Sequence, residues 1–328
     1  SAIAGATYSW TGPNAFTSTL QNPTIVGAST LAAGVYSVRA TVAGCQGPAG
    51  TTTVVVNPAP AAPTAGGTAT LCAGSTINLT ASAIAGATYN WTGPNSFTSN
   101  VQNPTIPGAS TLATGMYSVT ATVAGCPGPA GTFSVTVFGI PGAPTLGSNS
   151  PLCTGNTLSL TASTIVGASY SWTGPNAFTS TLQNPTIAAA TTAASGTYSV
   201  SVNVSGCGSA ASTIAVVVNP TPAAPTAGSN SPLCAGQTIN LTASNIAGAT
   251  YSWTGPNSFT STTQNPSIPG ASTLAAGVYT VRATVAGCTS PNGTVNVVVN
   301  PIPASPTLGS NSPICAGQTL SLTASTIA

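Results

Sequence analysis

The chain has 328 residues, no Asp, Glu, His or Lys, and two arginines, Arg39 and Arg282, for a formal charge of +2. Without a carboxylate or an imidazole there is no general acid or base, and nothing to activate a Ser or Thr nucleophile, so an enzyme is not expected. The same absence removes hard-metal ligands and the cations that neutralise phosphates, so no cofactor, metal or nucleic acid is expected either.

The mean hydropathy is positive, at +0.35. No apolar run approaches the ~18 residues of a membrane span, and Thr and Ser alternate with the apolar residues, so membrane insertion is not expected. The regular placement of Trp, Tyr, Val, Ile and Leu argues against disorder. One stretch recurs four times, carrying Trp10, Trp91, Trp172 and Trp253 at a constant interval, an 81-residue period. A fixed period of that size marks a tandem array. Pro-rich stretches at Pro58–Pro63, Pro141–Pro144, Pro220–Pro225 and Pro301–Pro306 read as stiff extended linkers and set the boundaries. They give a partial repeat at 1–57, complete repeats at 58–138, 139–219 and 220–300, and a partial repeat at 301–328. Ser1–Ala4 matches Ser82–Ala85. The expectation is that the sequence is one window on a longer polymer.

Within 58–138 a short first strand is expected at about Thr64–Leu71, then a turn at Cys72–Gly74. Thr76–Ala81 alternates apolar and polar residues, the period of a half-buried strand, and so does Thr88–Trp91, which puts Tyr89 and Trp91 on one face. Thr92-Gly93-Pro94-Asn95 is a turn: Gly and Asn tolerate unusual backbone angles and Pro fixes its own. Phe97 and Val101 suggest a short strand, Asn103-Pro104 breaks it, and Ile106 is a candidate core residue. Tyr117, Val119, Ala121 and Val123 share a strand face up to Gly125-Cys126, and Phe133, Val135 and Val137 form the last strand. About seven short strands without helical periodicity predict an all-β sandwich.

The Trp on the third strand and the Leu-x-x-Gly-x-Tyr corner (Leu31…Tyr36, Leu112…Tyr117, Leu274…Tyr279) resemble an immunoglobulin or fibronectin type III sandwich. The repeat at 139–219 departs, with Ala193 for Leu before Gly196 and Tyr198. The resemblance implies a core built on Trp10, Trp91, Trp172 and Trp253, and on Tyr36, Tyr117, Tyr198 and Tyr279, whose hydroxyls bond upstream backbone. More closely, Asn230-Ser-Pro-Leu-Cys234-Ala-Gly-Gln-Thr-Ile-Asn-Leu-Thr, Tyr-x-Trp-x-Gly-Pro, Gly-x-Tyr-x-Val and Gly287-Cys288 resemble the immunoglobulin-like repeats of giant type IX-secreted surface adhesins of Bacteroidota, the SprB-like adhesins of gliding motility. That resemblance implies an extracellular, cell-surface, bacterial protein.

Each repeat contributes two cysteines, and the set is Cys45, Cys72, Cys126, Cys153, Cys207, Cys234, Cys288 and Cys315. In a secreted chain such a pattern implies disulfides. A bridge inside each repeat, such as Cys72–Cys126, is one option. In an immunoglobulin sandwich, however, Cys72 beginning the second strand and Cys126 ending the sixth would lie at opposite poles, ~30 Å apart by strand rise. Bridges between repeats, Cys72–Cys207 and Cys153–Cys288, are the other option, and would leave Cys45, Cys126, Cys234 and Cys315 to pair beyond the window. Sequence alone does not fix the connectivity.

The functional expectation is a structural segment of an extracellular filament or adhesin stalk, its partners being neighbouring repeats or identical chains. Strands of ten to twelve residues along the fibre would add roughly 40 Å per repeat. One alternative is a multivalent carbohydrate-binding module, in which Phe97 and the Gly-Pro-Asn loop meet surface glycans. Another is a fibre assembled by donor-strand exchange, because 1–57 lacks the two strands that 301–328 supplies.

Overall fold

The computed structural model describes residues 2–327 and divides into two compact units. The first holds the residues up to Gly142 together with Asn203–Ser209, and the second holds Ala143–Val202 and the residues from Ala210 onward. Both are all-β. The helical pieces are three-residue 3-10 turns such as Thr111–Ala113. Among the described residues no helix is long and apolar enough to cross a membrane.

In the first unit, 58–138 forms two facing sheets. One orders Ala65–Gly67, Ile77–Ala81 and Thr105–Ile106. The other orders Phe97–Ser99, Thr88–Gly93, Gly115–Val123, Gly131–Phe138 and Thr70–Cys72, the last of these running parallel to its neighbour. This is the strand order of an immunoglobulin-like sandwich, with its first strand shared between the sheets. The single strand expected at Thr64–Leu71 is therefore two strands. Gly67 makes the break: its φ of 143° is a conformation that side chains disfavour, and a Cβ there would strike Asn78 O. Cys72 ends this split strand rather than beginning the second. Cys126 opens a short return strand, Cys126–Pro127, rather than ending the sixth.

Alternation along the strands builds the core, since successive side chains point to opposite faces. Ile77, Leu79 and Ala81 face Trp91, Tyr117, Val119 and Val135 from the opposite sheet, and all are buried. Truncating one of these large residues to Ala would cost about 2–5 kcal/mol. The second unit repeats the arrangement twice. Leu158 and Leu160 lie against Trp172, Tyr198 and Val200. Ile239 and Leu241 lie against Trp253, Tyr279 and Val281. Three of the Pro-rich stretches are anchored, because Pro63, Pro144 and Pro225 are buried, whereas Pro301–Pro306 is exposed throughout.

The partial repeats differ. Residues 1–57 form one sheet, with Thr7–Gly12 central beside Phe16–Ser18 and Gly34–Val42. Trp10, expected in a core, is only half-buried, because no second sheet covers it. Residues 301–327 hold two strands, Leu308–Ser310 and Leu322–Ala324, paired with each other and exposed throughout.

Candidate functional site

Two recurring motifs explain one another. Pro94-Asn95-Ser96-Phe97 is a two-residue hairpin turn with positive φ at both Asn95 (53°) and Ser96 (57°), closed by Phe97 N–H donating to Pro94 O at 3.2 Å. Gly93 before it lies flat on the Tyr117 ring, and any Cβ there would overlap that ring. Pro94 in turn covers Gly115, where a Cβ would come within 2.7 Å of the proline ring. The Thr-Gly-Pro-Asn turn and the Gly-x-Tyr strand are thus two halves of one interlock.

Tyr117 Oη donates to Ala113 O at 2.8 Å, and Tyr36, Tyr198 and Tyr279 do the same to Ala32, Ala194 and Ala275 at 2.9 Å. Burial pushes the phenols of Tyr117, Tyr198 and Tyr279 above their ordinary range, because ionisation there would strand a charge away from water. The corner leucines, by contrast, point outward. Leu31, Leu112 and Leu274 are 67–73 % exposed, and Ala32, Ala113 and Ala275 take the inward place. Ala193 in the 139–219 repeat therefore costs the core nothing.

Trp91 and Trp253 are fully buried, and their indole N–H groups donate to Gln102 O and Gln264 O at 3.1 Å. Trp172 is as buried, with no partner for its indole nitrogen. Phe97, a candidate for meeting glycans, is partly buried with its ring edge-on to Tyr117, the centroids 5.6 Å apart; Phe16, Phe178 and Phe259 repeat the contact. These aromatics brace the corner.

The cysteines occupy two kinds of turn. Cys72 and Cys153 end a short strand just before a turn whose glycine, Gly74 or Gly155, has positive φ (85° and 87°). Cys207 and Cys288 follow tight hairpins in which both residues have positive φ: Ser205-Gly206 (52°, 87°) and Ala286-Gly287 (48°, 80°). Only such a primed turn matches the twist of its flanking strands, which fixes where the cysteine points.

Within the first unit Cys72 is bonded to Cys207, and within the second Cys153 is bonded to Cys288. The Cα–Cα distance is 5.6 Å in both, well inside the range a disulfide accepts. Each bridge joins one repeat to the next, between cysteines 135 positions apart in the chain. Cys45, Cys126, Cys234 and Cys315 are unbonded.

Around Cys153–Cys288 the joint is reinforced. Cys153 pairs in parallel register with Asn219, the last strand residue of its repeat. The Asn219 side-chain amide donates to Ala286 O at 3.1 Å, in the turn that carries Cys288. Asn57 reaches Ala124 O in the same way, at 3.5 Å, within the first unit. Among the described residues no group of His, Cys, Asp or Glu could hold a metal. The bridges fasten the end of one sandwich to a hairpin of the following one.

A second feature is a groove of about 470 Å³ on residues 1–57, lined by Trp10, Phe16, Pro23, Ile25, Tyr36 and Val54 among others. It is the side of the single sheet that a second sheet covers in the complete repeats.

No family model and no curated protein matches the chain. Solved structures with which it aligns include strings of immunoglobulin domains. Sidekick-1 immunoglobulin domains 1–5 align at 16 % identity and TM-score 0.33, over 91 % of this chain and 75 % of that one. The mouse nectin-like molecule 4 ectodomain aligns at 12 % and 0.36, over 71 % and 97 %. Three N-terminal domains of the bacteriophage RB49 highly immunogenic outer capsid protein align at 14 % and 0.33, over 74 % and 98 %. The fold assignment rests on the strand order and register above.

Proposed function

We propose that this chain is a repeat segment of an extracellular filament or cell-surface adhesin stalk, and that its task is reach and stiffness. The observation that carries the reading is the disulfide that crosses each of two successive joints between repeats. A bridge inside a sandwich would stabilise that sandwich alone. A bridge between sandwiches removes the freedom of a hinge, which is of use only if the repeats must act as one body.

The composition supports the same reading. A chain with two charges in 328 residues responds little to salt and offers almost no sites to proteases that cut at basic residues. The disulfides fit an oxidising compartment outside the cytosol. The motif resemblance to type IX-secreted gliding adhesins supports a bacterial cell surface, with gliding motility as the setting. The boundaries at 58, 139, 220 and 301 are proposed as the mechanical units.

The test is immunogold labelling of intact source cells with antibodies raised against the chain. The reading expects label along filaments that project from the surface, in cells that were never permeabilised. Label seen only after permeabilisation overturns it. A glycan array probed with the full chain is expected to be blank, since Phe16, Phe97, Phe178 and Phe259 are engaged with their tyrosines.

A further inference from the structure

The two bridged joints carry the same kind of disulfide on different linkers. The linker at 219–225 reads Asn-Pro-Thr-Pro-Ala-Ala-Pro, and the corresponding places at 138–144 hold Phe-Gly-Ile-Pro-Gly-Ala-Pro.

The linker at 219–225 is tied along its length. On the upstream side the Thr221 N–H donates to Thr154 Oγ1 at 3.0 Å, and the Thr154 hydroxyl donates to Thr221 Oγ1 at 3.1 Å. On the downstream side the Asn219 amide donates to Ala286 O at 3.1 Å. Pro225 O lies so close to Gly293 that a Cβ there would overlap it. Pro220 and Pro222 fix their own φ. No tie in this set uses a sulfur atom.

The linker at 138–144 lacks each of these parts. Phe138 stands in the place of Asn219 and has no amide. Ile140, 56 % exposed, stands in the place of Thr221, and Ala73 in the place of Thr154, so the hydroxyl pair is gone. Where the Asn219 amide spans its joint, this one has a cleft of about 200 Å³, lined by Cys72, Phe138, Ser205 and Gly206 among others. The hairpin that carries Cys207 braces itself instead: the Gly206 N–H donates to Asn203 Oδ1 at 3.0 Å, at a place where the neighbouring repeats hold Thr122 and Thr284.

Two glycines complete the difference. Gly139 replaces Pro220, and Gly142 replaces Ala223. The fold demands neither. Neither has a positive φ. A Cβ on Gly142 would meet nothing within 4 Å, and one on Gly139 would touch a Thr111 methyl at 3.9 Å, an ordinary contact. What glycine adds at such places is backbone freedom.

We propose that the joint at 138–144 is a redox-gated hinge, held while Cys72–Cys207 stands and free to swing once it is reduced, whereas the joint at 219–225 keeps its set without Cys153–Cys288. The hinge rests on the stalk reading for its use: it gives a stiff array one point of controlled compliance. Reduction proceeds by exchange with an external dithiol. Its thiolate attacks the Cys72 sulfur, the more accessible of the pair because Cys207 is 1 % exposed, and Cys207 leaves as a thiolate. The second thiol of the reagent then displaces Cys72. The bridge gains two electrons and two protons, and the dithiol becomes a disulfide. Cys153–Cys288 opens by the same route, so the joints differ in what remains afterwards.

The test is nitrogen-15 relaxation on the full chain, with and without dithiothreitol. Without it, 58–138, 139–219 and 220–300 are expected to share one rotational correlation time. With it, 58–138 is expected to lose the common value, while 139–219 and 220–300 keep theirs together. A Cys72→Ser, Cys207→Ser variant is expected to behave this way without reductant, and a Cys153→Ser, Cys288→Ser variant is not. Grafting the other linker's parts (Ala73→Thr, Phe138→Asn, Gly139→Pro, Ile140→Thr and Gly142→Ala) is expected to restore the common value under dithiothreitol. Loosening of both joints alike, of neither, or of 219–225 alone overturns the proposal, and so does a folded graft that still swings. If the graft does not fold, the two joints of the unmodified chain decide. None of these outcomes bears on the surface labelling that tests the stalk reading.

Discussion

Pulling on the chain with and without its disulfides gives a length that follows from connectivity alone. The two bridges interleave: Cys153 lies between Cys72 and Cys207, and Cys207 lies between Cys153 and Cys288. With the bridges reduced, the backbone from Cys72 to Cys288 extends in full. With them intact, the taut covalent route crosses from Cys72 to Cys207, returns along the chain to Cys153, and crosses to Cys288. Only the return segment between Cys153 and Cys207 carries the load, a quarter of the whole stretch, and the other three quarters are withheld. The hidden chain is roughly 160 residues, which at ~3.3–3.6 Å per extended residue is about 550 Å. Force spectroscopy between handles at the two termini, repeated with reductant, is expected to show the fully unfolded contour lengthen by that amount. A Cys72→Ser, Cys153→Ser double variant is expected to reach the long contour without reductant. Equal contours in oxidised and reduced protein would refute the reasoning, because no arrangement of folded contacts can hide a difference that survives complete unfolding.

Stability is expected to stay nearly flat from mild acid to about pH 9, since there is no carboxylate or imidazole to titrate. Above pH ~10 it is expected to fall. The unfolded tyrosines ionise there first, while Tyr117, Tyr198 and Tyr279 stay neutral in the fold, so stability is complete below the unfolded value and is lost as the pH climbs towards the folded one. Urea midpoints across pH measure this, and an acid transition would contradict it. Gly174→Ala is expected to destabilise its repeat by about 1–3 kcal/mol, because the new methyl overlaps the Tyr198 ring; calorimetry reads the loss, and an unchanged melt would break the proposed interlock. Tyr198→Phe removes the bond to Ala194 O and is expected to cost about 1 kcal/mol, whereas Leu274→Ala, on an outward side chain, is expected to stay within about 0.5 kcal/mol.

Much of the fold could be read because strands announce themselves by alternation. Tyr89 with Trp91, and Tyr117 with Val119 and Ala121, already mark the buried face in the sequence, and the structure buries all of them. The positions that escaped depend on features a pattern does not carry. Leu112 and Ala113 are neighbours in a 3-10 turn, and which of them points inward is set by the turn's placement, not by hydrophobicity. Phe97 has the sequence of a loop aromatic, but the primed turn folds it back onto Tyr117. The prolines before each repeat have the composition of a tether, yet Pro63, Pro144 and Pro225 pack into their sandwiches. At the joints, the alternation of short and long gaps between cysteines admits pairings both within and between repeats. Only the turns at Gly74 and Gly125, each holding its cysteine at a distinct place on the sandwich, separate the two.

The joint chemistry also has a genetic reading. The repeat at 139–219 carries one cysteine, Cys207, for the repeat behind it and one, Cys153, for the repeat ahead. Recombination that inserts or deletes whole periods therefore leaves every internal thiol with a mate, and leaves each Gly-Pro turn facing its own tyrosine. Length becomes a quantity that such a gene can alter freely, in whole units, without redesigning a single contact.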